Sequence, residues 1–298
     1  MSKVGFIGLG NLGFSMARSL MKLGSKLTVY DSNPSALINI KKLGATIAET
    51  PAELASSCTE IVTLLPTEDE IENVFTGHDG ILTTIKPKTL CIDCSTVSYN
   101  FAKKLSEKVA EKVASFVDSP VSGNVEAAQH GNLAFTIGGD SESYDRARAV
   151  LVRLGRKIVH CGPIGTGQIA KLCNNLLFAA EMIGLSEILI LGEKFDIPPD
   201  MMTSAINTNT AKCFASESYN PIPGINRDAP SSKGYTSDLK CGLIAKVFSM
   251  EMNSSLAIGT LTSQIYQAVG NSEFKDQDLS AVIKFLRNNG PDKRKASH

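Results

Sequence analysis

Net charge is absent from this chain: its 298 residues carry 30 lysines and arginines against 30 aspartates and glutamates. A surface that neutralises phosphate backbones needs a basic excess or a basic stripe, so the balance argues against nucleic acid as the main partner. The one basic run, Lys293-Arg294-Lys295, sits beside the C-terminus. Long apolar runs are also lacking. The greasiest stretch, Leu176 to Leu191, is interrupted by Glu181, Ser186 and Glu187, short of the roughly 18 apolar residues that read as a bilayer span. No transmembrane helix and no membrane partner are expected. A strand pattern starts close to the N-terminus and leaves no visible signal h-region or Arg-rich transit peptide. Histidine is scarce, and His78, His130, His160 and His298 are too scattered to nominate a metal site. Seven cysteines, an odd number with no secretory signal, are expected to stay reduced inside a cell. Cys91-Ile-Asp-Cys94 is a lone CxxC without a second pair, so strand-end packing is expected there rather than metal or redox chemistry.

What is present is an ordinary globular composition, 43% hydrophobic and 20% charged, in a chain about twice the usual domain length. Up to about residue 160, short β-branched runs alternate with amphipathic stretches. Strands are expected at 3–8, 26–30, 46–48, 60–65, 89–93, 115–118, 133–137 and 157–160. Buried runs separated by helices predict a parallel, doubly wound α/β sheet. After Gly167 strand signals almost vanish, and periodicity near 3.6 predicts helices over 169–193, 199–207, 239–252, 257–269 and 279–287. The expected organisation is a Rossmann-type domain over 1–162 followed by an all-α domain over 163–298, with the active site at the carboxyl ends of the strands. Between Thr208 and Ser237, Pro221, Pro223 and Pro230 break helices while Gly224 and Asn226 favour turns, so this stretch is expected to be structureless and either functional or mobile. Met201-Met202 at a helix start reads as core filler.

The strand at 3–7 runs into Gly8-Leu9-Gly10-Asn11-Leu12-Gly13 and then into a helical pattern. In this setting GxGxxG has a physical meaning. Gly8 permits the tight turn, Gly10 lets backbone N–H groups approach a pyrophosphate, and Gly13 allows close helix–strand packing, with the anion at the helix N-terminus. Asp31 closes the second strand, about 20 residues downstream, where a carboxylate binds the ribose 2′-hydroxyl. Ser32 and Asn33 follow it rather than arginine, and a carboxylate would repel a 2′-phosphate, so NAD is expected over NADP. Asp31-Ser-Asn-Pro34 is also helix-capping chemistry.

Several blocks, in order, resemble the β-hydroxyacid dehydrogenases over nearly the whole chain. They are Gly5-Phe-Ile-Gly-Leu-Gly-Asn-Leu-Gly13 with Met16-Ala17, Leu64-Leu65-Pro66, Asp93-Cys-Ser-Thr96, Asp118-Ser-Pro-Val-Ser-Gly123, Gly162-Pro-Ile-Gly-Thr-Gly-Gln-Ile-Ala-Lys171 with Asn174-Asn175, Tyr219-Asn-Pro221 and Leu243-Ile-Ala-Lys246. The resemblance implies hydride transfer between NAD and a small 3-hydroxy acid, with 3-hydroxyisobutyrate, an intermediate of valine breakdown, as the favoured substrate. It gives Lys171 the catalytic role, and Ser122, Gly123 and Asn175 the substrate. Cofactor contacts follow at Gly8, Gly10, Asn11, Leu12, Gly13, Asp31, Leu65, Pro66, Thr96 and Lys246. No metal is required.

The local chemistry is compatible with that reading. Lys171 and Asn175 are four residues apart on an expected helix and share a face, with Gln168 and Asn174 adjoining. An apolar-walled site would lower the Lys171 pKa, and a partly neutral amine can take a hydroxyl proton as hydride leaves. Two departures stand out. Asn124 occupies a position where the family commonly has a second glycine, and Val247-Phe248 follow Lys246 where the family usually continues Asp-Leu, ahead of a segment to Tyr266 that is several residues short. The alternatives are a sibling reductase of tartronate semialdehyde, succinic semialdehyde or glyoxylate, and a non-catalytic NAD-binding protein. The resemblance further implies a homodimer or homotetramer and the mitochondrial matrix, the cytosol being the alternative compartment.

Overall fold

A computed structural model describes residues 3–237, 239–242 and 256–289. The chain divides into two compact units, Met1–Lys171 and Leu172–His298. In the first, the β-branched runs form β1 (Val4–Ile7), β2 (Leu27–Tyr30), β3 (Thr46–Ile47), β4 (Glu60–Thr63), β5 (Leu90–Asp93), β6 (Ser115–Asp118), β7 (Val121–Ser122), β8 (Ala134–Gly138) and β9 (Lys157–Gly162). Between them lie α1 (Asn11–Lys22), α2 (Pro34–Lys42), α3 (Pro51–Ser57), α4 (Glu68–Thr76), α5 (Tyr99–Ala110), α6 (Val125–Gln129) and α7 (Ser141–Leu151).

Strands β3, β2, β1, β4, β5 and β6 pair in that order, all parallel. Beyond β6 the sheet departs from the expected parallel pattern: β8 runs antiparallel to both β6 and β7, and β9 returns parallel to β8. The reason is local. The chain runs straight on through Ser119-Pro120, because β6 and β7 pair with β8 in one antiparallel register. It reverses between Ser122 and Ala134, where the five-residue α6 rises only about 8 Å, half the roughly 16 Å of a five-residue strand, too little for a parallel crossover.

Alternation along the parallel strands loads both sheet faces. Phe6, Val62, Ile92 and Val117 pack with Met16 and Leu20, while Ile7, Ile61, Cys91 and Phe116 pack with Leu54 and Phe75. At about 1.5–3 kcal/mol per fully buried side chain, these layers are the main force holding the strand ends in place. Cys91 and Cys94 are free and wholly buried. Desolvation holds both thiols above their ordinary range, consistent with packing residues.

Pairing puts Tyr30, Ile7, Thr63, Asp93 and Asp118 in one row at the carboxyl ends of β2, β1, β4, β5 and β6. Gly8, Asp31, Leu65 and Thr96 therefore emerge from a single sheet edge. Such an edge, where connections diverge, is where open α/β sheets bind ligands.

Helix α8 (Thr166–Lys194) opens in the first unit and continues in the second. Its 29 residues, with a mean hydropathy of 1.6 in the most apolar window, meet the length and composition of a membrane span. Nevertheless Ala179, Met182, Ile183, Leu185 and Leu189 from this helix build the core of the second unit with Tyr266, Val269, Val282 and Ile283. The latter come from α11 (Ala257–Gly270) and α12 (Val282–Asn288), after the shorter α9 (Pro199–Asn207) and α10 (Phe214–Glu217). Most of the helix expected over 239–252 lies outside the described residues.

The stretch from Thr208 to Ser237 is not structureless. It holds α10 and a 3-10 turn at Pro230–Lys233, pinned by buried bonds. The Tyr235 hydroxyl donates to the Pro221 carbonyl at 2.8 Å, and the Tyr219 hydroxyl donates to the buried Asp278 carboxylate at 2.8 Å. Proline and glycine marked the breaks in helix, but partners far along the chain supply the order. Met201, expected in the core, is 62% exposed at the start of α9, while Met202 packs inward. Neighbouring helical residues point about 100° apart, so only one of the pair can face the core.

Candidate active site

The glycine turn can be read atom by atom. Gly8 has φ +96°, and a Cβ there would sit 2.1 Å from the Leu64 carbonyl oxygen. A Cβ on Gly13 would meet the Gly8 carbonyl oxygen at 2.0 Å, so α1 packs onto its own turn at a distance only glycine permits. Around Gly10 nothing lies within 4 Å of an added Cβ, which leaves open approach to the first turn of α1. The other six helices between β1 and β9 are each capped by a side chain, from Asn33, Thr50, Thr67, Ser98, Asn124 or Asp140. Helix α1 has Gly10 as N-cap, no capping side chain and no acid in its first turn. Its leading N–H groups are thus set up for an external anion.

Asp31 stands beside this turn. Its Oδ2 accepts the Leu9 N–H at 2.6 Å and its Oδ1 accepts the Asn33 N–H at 2.8 Å. The helix cap itself is Asn33, which accepts the Ser35 N–H at 3.0 Å. An ionised carboxylate has about four acceptor sites, so Asp31 retains capacity for ribose hydroxyls. Gly10, Asn11, Asp31 and Asn33 line a cavity of about 610 Å³, the size of a small-molecule site. Turn, uncapped helix and carboxylate together fit a dinucleotide.

The second cluster forms where β7 meets the start of α8. Lys171 Nζ donates to Ser122 Oγ at 2.6 Å. Burial alone pushes the amine down from 10.5 to about 8. At pH 7.5 roughly a quarter of such amines are neutral, against about one in a thousand at the ordinary value. Next to Ser122, Gly123 has φ +131°, and a Cβ there would meet Leu133 Cδ2 at 2.6 Å. Asn124, the departure from the family pattern, caps α6 by accepting the Ala127 N–H at 2.8 Å.

Reading the sequence missed how α8 is anchored. Asp118 accepts the Gly165 N–H at 2.6 Å through Oδ1 and the Gln168 N–H at 2.9 Å through Oδ2, capping the helix that carries Lys171. Burial, with the Asp93 charge as a smaller contribution, raises Asp118 to about 6, while the two N–H donors oppose that rise. Asp93 lies directly opposite on β5 and is also raised by burial. The available signal was an acid at the end of each of two adjacent apolar strands.

Of the remaining candidates, Leu65 is half-buried and donates its N–H to Ser95 Oγ at 2.9 Å, and Pro66 is exposed beside it. Thr96 is exposed after β5, and the cap of the next helix is Ser98 rather than Thr96. Asn175 is 7% exposed on α8, in the second unit, and accepts a long 3.5 Å contact from Asn174. Lys246 and the segment around it lie outside the described residues. Among the described residues, no group of three or more His, Cys, Asp or Glu side chains is arranged to hold a metal ion.

Comparison with known proteins identifies the family. Residues 3–162 match the family model of the NAD-binding domain of 6-phosphogluconate dehydrogenase, and residues 165–286 match the NAD-binding domain of NADP-dependent 3-hydroxyisobutyrate dehydrogenase. The chain is 38% identical over 294 residues to the mitochondrial 3-hydroxyisobutyrate dehydrogenase of Mus musculus, covering 97% of this chain and 88% of that one. It is 37% identical to the Homo sapiens enzyme of the same name, covering 95% and 86%. The structure of Mycobacterium tuberculosis 3-hydroxyisobutyrate dehydrogenase with L-serine superposes with a TM-score of 0.88 at 30% identity, covering 96% of this chain and 99% of that one. On fold and sequence together, the chain belongs to the 3-hydroxyisobutyrate dehydrogenase family of β-hydroxyacid dehydrogenases.

Proposed function

We propose that the protein oxidises 3-hydroxyisobutyrate to methylmalonate semialdehyde with NAD, and that Lys171 is the general base. The carrying observation is the buried Lys171 amine, lowered to about 8 and held against Ser122 at 2.6 Å. When bound, NAD accepts the hydride that leaves the alcohol carbon. Lys171 Nζ takes the hydroxyl proton, and the positive charge it gains favours the nearby substrate carboxylate. Ser122 Oγ and the backbone at Gly123 bind that carboxylate, with Asn175 orienting the substrate. Gly8, Gly10, Asn11, Leu12 and Gly13 hold the pyrophosphate, Asp31 holds the adenosine ribose, and Leu65, Pro66 and Thr96 border the rest of the cofactor.

This assigns cofactor binding to 1–162, which also carries Ser122 and Gly123, and oligomerisation to 163–298, which carries Lys171 and Asn175. The L-serine in the mycobacterial relative, itself a 3-hydroxy acid, supports the substrate class. Leu177, Ile188, Leu191 and Phe195, between 44% and 73% exposed along and just beyond α8, support a homodimer or homotetramer. The names of the relatives support the mitochondrial matrix.

NADH formation from (S)-3-hydroxyisobutyrate, beside L-serine, 4-hydroxybutyrate and glycerate and with NAD or NADP, tests the reading. Selective NAD-linked turnover of 3-hydroxyisobutyrate is expected. Preference for glycerate or 4-hydroxybutyrate would make the protein a sibling reductase, and NAD binding without any turnover would make it a non-catalytic binder.

A further inference from the structure

The side chain of Gln168 grips the backbone on both sides of Thr96. Its Oε1 accepts the Val97 N–H at 3.1 Å, and its Nε2 donates to the Ser95 carbonyl at 2.9 Å. One partner only donates and the other only accepts, so the amide has a single satisfying orientation. Gln168 is 3% exposed, and its own N–H is held by Asp118. Ser95 reaches further still: its hydroxyl accepts from the Leu65 N–H at 2.9 Å and donates to Asp93 at 2.6 Å. One buried side chain therefore ties the segment 95–97, and through it the end of β4, to the opening turn of α8. Three residues later on that helix comes Lys171, at the spacing where helical side chains adjoin.

Asp118 already anchors the start of α8. A second anchor aimed at the flanks of Thr96 adds something the first does not, a fixed distance between the Thr96 segment and the helix that carries the base. We propose that Gln168 is a positioning residue, coupling the cofactor-side segment at Thr96 to α8 so that the Lys171 amine meets the hydroxyl while the alcohol carbon faces the hydride acceptor. This rests on the reading of Lys171 as base and of Thr96 as a cofactor neighbour. The asymmetry expected of such a residue is in turnover rather than binding, because misplacement of reacting groups by about 1 Å can cost 10²-fold.

Two substitutions separate positioning from stability. Gln168→Met keeps the length and loses both hydrogen bonds, while Gln168→Glu keeps an acceptor for Val97 and places a second acceptor against the Ser95 carbonyl. In Gln168→Met, kcat is expected to fall roughly 10- to 100-fold with KM for the hydroxy acid within about threefold. The primary isotope effect with substrate deuterated at the alcohol carbon is expected to grow, and amide exchange across 95–97 to accelerate. Gln168→Glu is expected to fall between native and Gln168→Met. Native kcat and isotope effect in Gln168→Met, or a lowered Tm as its only change, would overturn the proposal. A native chain without Lys171-dependent turnover would contradict the reaction instead. Amide exchange then decides the mechanical link by itself, and unchanged protection across 95–97 overturns it.

Discussion

Lys171 and Ser122 stand 49 residues apart in the chain and meet at 2.6 Å, the first on α8 and the second at the end of β7. The contact joins the two motifs to which the proposed reaction assigns base and substrate carboxylate, and the ammonium donates while the hydroxyl accepts. Ser122→Ala removes the acceptor. A hydrogen bond to a charged group is worth about 1.5–3 kcal/mol, so kcat/KM for the hydroxy acid is expected to fall roughly 10- to 100-fold. Steady-state kinetics with saturating NAD checks this, and unchanged kcat/KM would mean that the contact is idle.

Burying the Lys171 amine works against the fold. Its pKa is lowered from 10.5 to about 8, so the charged form is penalised in the folded chain. The penalty is full below about pH 8, fades as pH rises toward 10.5, and vanishes once the amine is neutral both folded and unfolded. Lys171→Met is therefore expected to be inactive yet more stable at pH 7 by about 1–3 kcal/mol, with the advantage shrinking by pH 9.5. Denaturant melts of both proteins at the two pH values measure the difference, and equal stability at pH 7 would refute the assigned burial cost.

The three loop glycines are expected to separate folding from binding. Gly8→Ala and Gly13→Ala place a Cβ about 2 Å from a backbone carbonyl oxygen and are expected to lose more than about 3 kcal/mol of stability. Gly10→Ala has room, so it is expected to melt like the native chain while binding NADH roughly tenfold or more weakly, for lost charge-assisted N–H bonds of about 1.5–3 kcal/mol each. Thermal melts beside NADH fluorescence titrations distinguish the cases. Native affinity in Gly10→Ala would remove the pyrophosphate from this turn.

Legibility in the sequence followed the range of the interactions. The first strand, the glycine turn, α1 and Asp31 could be read in advance because each depends on spacing within about 30 residues. Lys171 and Ser122 could be named from their motifs, but their contact could not, since it depends on register across the sheet. The same holds for Asp118, whose partners Gly165 and Gln168 lie 47 and 50 residues away. Asn124 was visible only as a departure from a glycine, while its work as a cap for α6 required seeing the helix. The order of the 208–237 stretch was illegible for the same reason, because Tyr219 is held by Asp278, 59 residues on.

Asp31 is expected to set cofactor choice. Its carboxylate faces the cavity beside Gly10 and Asn11 and is held by the Leu9 and Asn33 N–H groups. Asp31→Ser removes the charge that repels a 2′-phosphate and an acceptor for the ribose. The ratio of kcat/KM for NAD over NADP is expected to drop at least roughly tenfold, about 1.4 kcal/mol of lost discrimination. Parallel assays with the two cofactors read it directly, and an unchanged ratio would place discrimination elsewhere.

The pH dependence of kcat/KM for (S)-3-hydroxyisobutyrate oxidation with NAD, in native protein and in Lys171→Ala, tests the assignment of Lys171 as base most directly. Native activity is predicted to rise with pH and level off above about pH 8, as the buried amine loses its proton. Lys171→Ala is predicted to lose that limb and to run about 10²- to 10⁴-fold slower, the usual contribution of a general base. A native-like profile and rate in Lys171→Ala would contradict the account.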